Sequence, residues 1–252
     1  PCTMKISATI ITLNEERNIE RCITSLKGVA DEIIVFDSNS TDNTEAICKV
    51  QNVRFVQGEW LGYSASKNYV NGLASFDYIF SIDADEALDN KLREEILELK
   101  KLNDPEVYSV NRRTNYCGKW IKYSGWYPDV KIRLFPKATS YWEGEYVHEK
   151  LVYKTNLTVK QIEGHLEHYS YYSYADHRDR ADKYSVLTAR KMFEAGKKAS
   201  AIKPYLSAIG RFLSMFVLKG GFMDGKMGFR IAKISAVSNI LKYKELRRLN
   251  RK

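Results

Sequence analysis

The sequence is poor in cysteine and lacks any long apolar run. Its four cysteines are spread over 252 residues, and none has CxxC or Cys/His spacing. Neither a zinc site nor a disulfide framework is indicated, and a reducing cytosol is the expected compartment. A membrane span needs about 18 uninterrupted apolar residues, whereas the best run, 212–218, is bounded by Arg211 and Lys219. We therefore do not expect an integral membrane protein.

Charge is distributed unevenly along the chain. From His177 to the C-terminus there are 19 lysines and arginines against 5 acidic residues, whereas residues 1–176 hold 21 against 26. A basic C-terminal third favours contact with nucleic acid, anionic lipid or another acidic surface. A merely solvated helical face is the alternative.

Strand and helix patterns alternate through the first hundred residues. Strands are predicted at 5–12, 32–37, 53–56 and 78–82, and helices at 15–26, 64–74 and 89–102. A further helix is predicted to start from the turn at 38–44 and to end at about residue 50. This order is typical of an α/β protein with a mostly parallel central sheet and flanking helices.

The alternation weakens after residue 107. A strand and hairpin region rich in Tyr, Trp and Gly follows at 111–136, and helical patterns then cover 174–195, 204–218 and 226–249. We predict a catalytic domain over 4–170 and a basic helical extension over 171–252.

Acidic residues follow three of the predicted strands. The first strand closes with Thr12-Leu13-Asn14-Glu15-Glu16, the second with Asp37-Ser38-Asn39-Ser40 and the fourth with Asp83-Ala84-Asp85-Glu86. Ligands of parallel α/β sheets bind outside the carboxyl ends of the strands. If these strands are neighbours, the acids meet in one crevice.

Clustered carboxylates repel one another unless a cation neutralises them. An Asp-x-Asp pair suits Mg²⁺ or Mn²⁺, with phosphate oxygens completing the metal's shell. Residues 83–85 alone are more typical of a polar loop in which Asp89 caps the next helix, because Asp-x-Asp is a common tripeptide. The other two acidic strand ends favour a site for a metal and a diphosphate.

Four segments together resemble a known family. They are TIITLNEE at 9–16, IIVFDSNSTDNT at 33–44, SASKNYVNGLA at 64–74 and FSIDADE at 80–86. Over about residues 4–150 the chain resembles inverting family 2 glycosyltransferases with the GT-A fold, which use nucleotide diphosphate sugars. VFDSNSTDNT, VHEKL at 147–151 and the basic tail look most similar to bacterial lipopolysaccharide-core β-glucosyltransferases.

The resemblance implies a pocket for the nucleoside. Thr12, Leu13 and Glu15 would line it, and Asp37 would contact the base or the ribose. Many relatives carry two adjacent aspartates at the end of the second strand, whereas the second position here is Ser38. Base recognition is therefore less securely implied than metal binding.

The resemblance also implies roles around the diphosphate. Lys67 would lie near the base or the diphosphate. Asp83 would reach the ribose or the metal, and Asp85 would be the direct ligand of the Mg²⁺ or Mn²⁺ ion.

Inverting transfer requires a carboxylate that removes the proton of the acceptor hydroxyl. The segment 142–151 offers several acids, and the resemblance of its Val-His-Glu sequence implies Glu149 as the base, with Glu145 as second choice. His148 is either a third metal or diphosphate ligand or a structural histidine. His165 and His168 are expected to be structural.

Further candidates flank the aromatic hairpin. Arg133 is the preferred contact for the diphosphate or for acceptor phosphates, with a surface salt bridge as the alternative. Trp126 could stack on an acceptor sugar or pack in the core.

Basic and apolar residues alternate in the C-terminal helices, which favours peripheral binding to an anionic membrane surface. The alternative is that their apolar faces pack on the catalytic domain and on one another. We predict a metal-dependent enzyme that transfers a sugar, with glucose implied, from a UDP-linked donor to a lipid-linked saccharide such as lipopolysaccharide core. Its expected location is the inner face of the bacterial cytoplasmic membrane.

Two other functions compete with this interpretation. A nucleotidyltransferase normally carries a Gly-rich basic loop after the first strand, where this chain has Asn14-Glu15-Glu16. A basic nucleic-acid-binding module lacks support because no RRM, KH or helix-turn-helix signature is present. Nucleic acid is therefore not an expected partner.

Overall fold

A computed structural model describes residues 3–102, 104, 106–144 and 149–251. The chain divides into two compact units. The first contains the chain up to Arg112 together with 129–168, and the second contains 113–128 together with the chain from Tyr169 onwards.

Strands and helices alternate up to residue 83, and strands then dominate between residues 107 and 171. The strands are β1 Ile6–Thr12, β2 Glu32–Asp37, β3 Arg54–Gln57, β4 Tyr78–Asp83, β5 Glu86–Leu88, β6 Val107–Tyr116, β7 Lys119–Trp120, β8 Asp129–Pro136, β9 Ser140–Glu143, β10 Lys150–Tyr153 and β11 Val159–Tyr171. The helices are α1 Ile19–Leu26, α2 Thr44–Val50, α3 Tyr63–Gly72, α4 Asn90–Leu102, α5 Tyr174–Glu194, α6 Lys203–Leu213 and α7 Lys226–Leu249.

The main sheet has the strand order β3-β2-β1-β4-β8-β6-β11-β5. β3, β2, β1 and β4 run parallel to their neighbours, while β8 is antiparallel to β4 and to β6. The predicted α/β class with flanking helices is confirmed. The strands β3, β2, β1 and β4 form its parallel part. The other described strand pairs are antiparallel.

Both faces of the parallel part are covered, because every residue of β1 is buried. Ile6, Ala8 and Ile10 belong to one apolar cluster, together with four residues of α1 at helical spacing. Ile11 belongs to a second cluster with Val70 of α3 and Ala74 just after that helix. Two covered faces explain why β1 and β4 read as almost continuous apolar runs.

The second unit contains α5, α6 and α7 and the segment 113–128. The sequence assigns that segment to the first domain, but it groups with the helices because Tyr116 and Ile121 pack with Met215 and Ile231. Asp224, two residues before α7, is buried and accepts the backbone N–H of Tyr123 at 2.9 Å. Within the described part of the chain, no helix is both long and apolar enough to cross a bilayer.

An aromatic cluster in the second unit surrounds His177. The ring Nδ1 lies 3.0 Å from the Tyr116 hydroxyl, and the ring centroids of Tyr171 and Trp126 lie 4.6 and 5.5 Å away. Burial, with a smaller contribution from Arg180, lowers the pKa of His177 to about 4. The imidazole is therefore neutral in the folded protein at neutral pH.

We expect the free energy of unfolding to decrease as the pH falls from about 6.5 to about 4. In this range the unfolded chain binds a proton at His177 and the folded chain does not, which favours unfolding. One pKa unit corresponds to about 1.4 kcal/mol, so the loss approaches 3 kcal/mol. Urea unfolding at several pH values measures it, and His177→Gln should flatten the profile. An equally steep profile for this variant would contradict the assignment.

Candidate active site

The carboxyl ends of β2, β1 and β4 lie side by side. Thr12 pairs with Asp37 across β1 and β2, and Ile11 pairs with Asp83 across β1 and β4. Paired residues share a face and successive residues alternate, so Asp37 and Asp83 extend towards opposite faces of the sheet. The strands are neighbours, as the sequence requires, but the two acids form separate groups at this edge.

The loops after β1 and β2 are bound to each other. The backbone N–H of Asn14 donates to Ser40 Oγ, and the Asn14 side chain accepts the backbone N–H of Thr41, both at 2.8 Å. Asn14 has a positive φ of 55°, a conformation that asparagine tolerates better than most residues. These bonds give the strand edge a defined shape.

The predicted nucleoside residues lie along this loop. Thr12 is buried, and its hydroxyl is without a hydrogen-bond partner in the described structure. Leu13 is half exposed. The backbone N–H of Glu15 donates to Thr44 Oγ1 at 2.9 Å, and its carboxylate accepts Asn18 Nδ2 at 2.8 Å. The Thr12 hydroxyl is thus a buried polar group at the strand end that no described residue satisfies.

Asp37 is fully buried among neutral donors. Its carboxylate accepts the backbone N–H of Ser40 at 2.8 Å, the Ser40 hydroxyl, and Gln57 Nε2 at 3.2 Å. The neighbouring Ser38 hydroxyl is buried without a partner in the described structure. Buried polar groups are normally satisfied, so the unpaired hydroxyls of Thr12 and Ser38 make this edge a candidate for ligand contacts.

A cleft of about 380 Å³ lies on the Asp83 side. Lys67 of α3 lines it and is almost fully buried. Its Nζ lies 3.0 Å from Asp83 Oδ1 and 3.2 Å from Glu149 Oε1, and 4.7 Å from the centre of the Trp142 ring. The lysine therefore connects the strand-end aspartate to the predicted base.

Reciprocal hydrogen bonds hold α3 in this position. Asn68 Nδ2 donates to the carbonyl of Trp142 at 2.7 Å, and the Trp142 backbone N–H donates to Asn68 Oδ1 at 2.8 Å. One turn further on, Thr9 Oγ1 donates to Asn71 Oδ1 at 2.8 Å inside the sheet interface. Lys67 is consequently placed by bonds on both sides of it.

Arg133 neutralises two carboxylates. Its Nη2 donates to Asp83 Oδ2 at 2.8 Å and to Glu86 Oε1 at 2.6 Å. Burial opposes the charged form of Asp83, but Arg133 and Lys67 outweigh it and hold the pKa of Asp83 well below its usual value. Asp83 is therefore ionised at neutral pH.

Glu86 closes the motif FSIDADE, but the sequence analysis assigns it no role. It is buried, it accepts the backbone N–H of Asp83 at 3.0 Å, and it pairs with Arg112 at 3.1 Å as well as with Arg133. Arg112 also holds Asp129 at 2.7 Å. A carboxylate at the start of the short apolar strand Glu86–Leu88 was the available signal, because such a buried acid requires cationic partners.

We expect Glu86→Gln to lower the free energy of unfolding by about 3 kcal/mol, because it leaves two guanidinium groups short of a buried counter-charge. Urea unfolding measures this loss. The matched control is Glu163→Gln, which breaks the exposed Lys91–Glu163 pair and should leave the unfolding midpoint almost unchanged, because solvent screens exposed ion pairs. Equal costs for the two variants would contradict a stabilising role for Glu86.

Asp85 lies opposite a histidine from β11. Asp85 Oδ2 is 3.1 Å from His168 Nε2, a residue that the sequence analysis places among the structural histidines. Burial raises the pKa of Asp85, but His168 outweighs it and the net pKa is lowered.

The geometry of this pair fits a divalent cation. Two ligand atoms at right angles and about 2.1 Å from an octahedral metal are about 3 Å apart, close to the 3.1 Å between Asp85 and His168. Among the described residues no cluster of three or more His, Cys, Asp or Glu side chains has metal-binding geometry. Substrate oxygens and water would have to complete the shell, as magnesium sites commonly require.

Four predicted site residues remain to be located in the structure: Trp126, Glu145, His148 and Glu149. Trp126 belongs to the second unit, where it packs edge-on against Tyr116 at 5.7 Å. Glu145 and His148 lie outside the described residues. Glu149 is partly buried and lines the cleft.

Comparison with known proteins identifies the class. The model of glycosyl transferase family 2 matches residues 7–159. The lipopolysaccharide core biosynthesis glycosyltransferase LpsC of Rhizobium meliloti (strain 1021) is 32% identical over 243 residues, which cover 93% of this chain and 88% of that protein. An uncharacterized glycosyltransferase of Rickettsia bellii (strain RML369-C) is 30% identical over 266 residues, covering 98% and 88%.

A solved structure also matches at low identity. The crystal structure of S. aureus TarS 1-349 is 14% identical and has a TM-score of 0.49, covering 98% of this chain and 90% of that chain. The sequence matches define a glycosyltransferase. The chain belongs to glycosyl transferase family 2, and this membership decides against the nucleotidyltransferase and nucleic-acid-binding alternatives.

Proposed function

We propose that the protein transfers a sugar from a UDP-linked donor, with inversion, to a lipid-linked saccharide. One observation carries this proposal: Lys67 binds both the strand-end acid Asp83 and the acid Glu149 within a single cleft. A donor-side aspartate and a carboxylate suited to proton removal are thereby brought within reach of one substrate.

The metal ligand that we propose is Asp85, with His168 beside it. Both oxygens of Asp83 already bind cations, one to Lys67 and one to Arg133, so a direct bond from Asp83 is the weaker assignment. Asp85 has no lysine or arginine within ion-pair distance in the described structure. A bound Mg²⁺ or Mn²⁺ would neutralise the charge of the departing diphosphate.

We assign the nucleoside to the edge formed by Thr12, Leu13, Glu15 and Asp37. The orphan hydroxyl of Thr12 and the half-exposed Leu13 offer one polar and one apolar contact. Asp37 is held rigidly by neutral donors, which leaves its negative charge to attract N–H or O–H groups of a base or ribose.

Glu149 acts as the general base in this proposal. Its carboxylate would take the proton from the acceptor hydroxyl as the oxygen attacks the anomeric carbon and the bond to the diphosphate breaks. Lys67 positions this carboxylate from within the cleft. Arg133 contributes indirectly, because it holds Asp83 and Glu86 in place rather than presenting a free guanidinium.

The acceptor that we propose is lipopolysaccharide core or a related lipid-linked saccharide, and the transferred sugar is glucose. The similarity to LpsC, named for lipopolysaccharide core biosynthesis, supports the acceptor class. An acceptor of this kind would place the enzyme on the inner face of the cytoplasmic membrane. Trp126 and His148 remain predicted acceptor or diphosphate contacts.

A panel of nucleotide sugars tests the donor assignment. Thermal unfolding is followed with each sugar nucleotide, once with Mn²⁺ and once with EDTA. We expect UDP-glucose to raise the melting temperature only when Mn²⁺ is present. A panel in which no sugar nucleotide acts in a metal-dependent way would contradict the proposal.

A further inference from the structure

One face of α6 consists of exposed apolar side chains. Ile202, Leu206, Ile209, Leu213 and Val217 recur at spacings of three or four residues and are each 49–60% exposed. Residues three and four apart lie on the same side of a helix, so the five form a continuous row. It extends about 22 Å at 1.5 Å per residue.

Aromatic rings continue this row beyond the helix. Phe216, in the π-helical turn Ser214–Leu218, has its ring centre 6.4 Å from that of Phe222 and 5.8 Å from that of Phe229. Phe222 and Phe229 are about half exposed, as is Met223. The apolar face therefore includes the α6 row and the turn that precedes α7, which is far more than scattered exposed side chains.

The charge around this face has a single sign. Residues 197–233 contain eight lysines and arginines and one acid. That acid, Asp224, is buried and accepts backbone N–H groups. Lys203, Arg211 and Lys219 are exposed beside the row, and no ion pair joins any of the eight to a carboxylate within the described residues.

The exposed apolar row and the positive charge around it together indicate which kind of partner this face binds. A second copy of the chain, related by a two-fold axis, would bring the same uncompensated cations against one another. An anionic bilayer accepts apolar side chains among its acyl chains and balances the cations with its headgroups.

We infer that the helical unit binds an anionic bilayer directly, with the α6 row and Phe222 inserted and the flanking lysines and arginines on the headgroups. The inference refines the membrane location in the proposed function, but it rests on exposure and charge rather than on the sugar-transfer site. It assigns membrane binding to one face of one helix and the turn after it.

Vesicle sedimentation tests the inference with full-length protein. Vesicles of phosphatidylcholine alone are compared with vesicles containing equal parts of phosphatidylglycerol. The test variant is Leu206→Glu with Ile209→Glu, at positions 57% and 59% exposed, where a carboxylate can be solvated without unfolding the helix. The control is Val50→Glu with Leu102→Glu, at positions 83% and 71% exposed in the first unit.

We expect wild type and control to sediment with the anionic vesicles and not with the phosphatidylcholine vesicles. The partition coefficient of the test variant for anionic vesicles should be at least tenfold lower than that of wild type. A second variant combines Lys203→Gln, Arg211→Gln and Lys219→Gln. It should bind anionic vesicles more weakly than wild type, and its binding should change less with salt concentration. Unchanged partitioning of the Leu206/Ile209 variant would overturn the inference. So would a lipid-free dimer of the wild type that this variant converts to a monomer, because the face would then bind protein.

Donor hydrolysis separates this inference from the proposed function. Metal-dependent release of UDP from UDP-glucose, measured without lipid, should be the same in wild type and in the Leu206/Ile209 variant. Absence of donor hydrolysis in all proteins, with vesicle binding intact, would refute the proposed donor and leave the membrane face standing.

Discussion

Glu149→Gln should reduce kcat by about 10²–10⁴-fold, the range expected when a general base is removed. The amide cannot accept the proton of the acceptor hydroxyl, while its shape and its position next to Lys67 are retained. Binding of the donor should change little, so the melting shift caused by UDP-glucose and Mn²⁺ should persist. Product formation with a lipid-linked acceptor and the thermal shift measure the two effects separately.

Glu143→Gln is the matched control for this prediction. Glu143 lies on β9 opposite Lys150, which adjoins Glu149, but it is exposed and does not line the cleft. We expect it to retain activity within about threefold, since most surface substitutions have small effects. If Glu149→Gln behaved like this control and Glu145→Gln did not, the base would be Glu145.

Asp85→Asn should abolish the metal dependence of donor binding. An amide is a poor ligand for a hard divalent cation compared with a carboxylate. Metal stabilisation of a leaving group contributes several kcal/mol, so transfer should fall by about 100-fold or more. The Mn²⁺-dependent part of the UDP-glucose melting shift should be lost as well.

The chain supplies a control of the same chemistry. Asp89 Oδ2 lies 3.2 Å from His165 Nδ1, and its side chain is 16% exposed, compared with 18% for Asp85. Asp89 also caps α4, accepting the backbone N–H of Leu92 at 2.9 Å. Asp89→Asn should therefore cost some stability but leave the metal dependence intact. Loss of metal dependence in both variants would show that removing any Asp–His pair has this effect.

The parallel half of the fold could be predicted because its signals are local. The predicted strand at 32–37 is β2 itself, and the predicted helix at 226–249 is α7. Small differences occur where the backbone bonds differently: the helix predicted at 15–26 begins at Ile19, because Asn18 and Ile19 donate to the Glu15 carbonyl in a preceding turn. The helix predicted at 204–218 changes to π-helical geometry at Ser214.

The antiparallel half depends on contacts that periodicity does not encode. β5 has three residues, too few for a periodic signal, and its partner β11 lies far along the chain: Leu88 pairs with Leu166, 78 residues later. That pairing brings His168 to Asp85 and buries Glu86 beside Arg133. The acids at the strand ends could be predicted from the motifs. Their arginine, lysine and histidine partners could not, because strand pairing in the folded chain brings them together.

The salt bridges of the cleft could not be predicted for a similar reason. The residues around Arg133 on β8 include both charged and apolar types, so the sequence favours an exposed arginine at the surface. In the structure Arg133 is 3% exposed and binds two carboxylates. Lys67 likewise lies on a helix whose sequence is mostly polar, and only the packing of Trp142 against α3 buries it. The pairing of acids with cations in the cleft therefore becomes apparent only once the strands and α3 are packed together.

Manganese bound together with UDP tests the central claim most directly. The claim is that the acids at the carboxyl ends of the strands hold a divalent ion against a diphosphate. In a crystal soaked with both, the anomalous signal of manganese should lie within coordination distance of the Asp85 carboxylate and of the diphosphate oxygens, with UDP along the Thr12–Asp37 edge. UDP bound elsewhere, or bound there with manganese absent from Asp85, would contradict it.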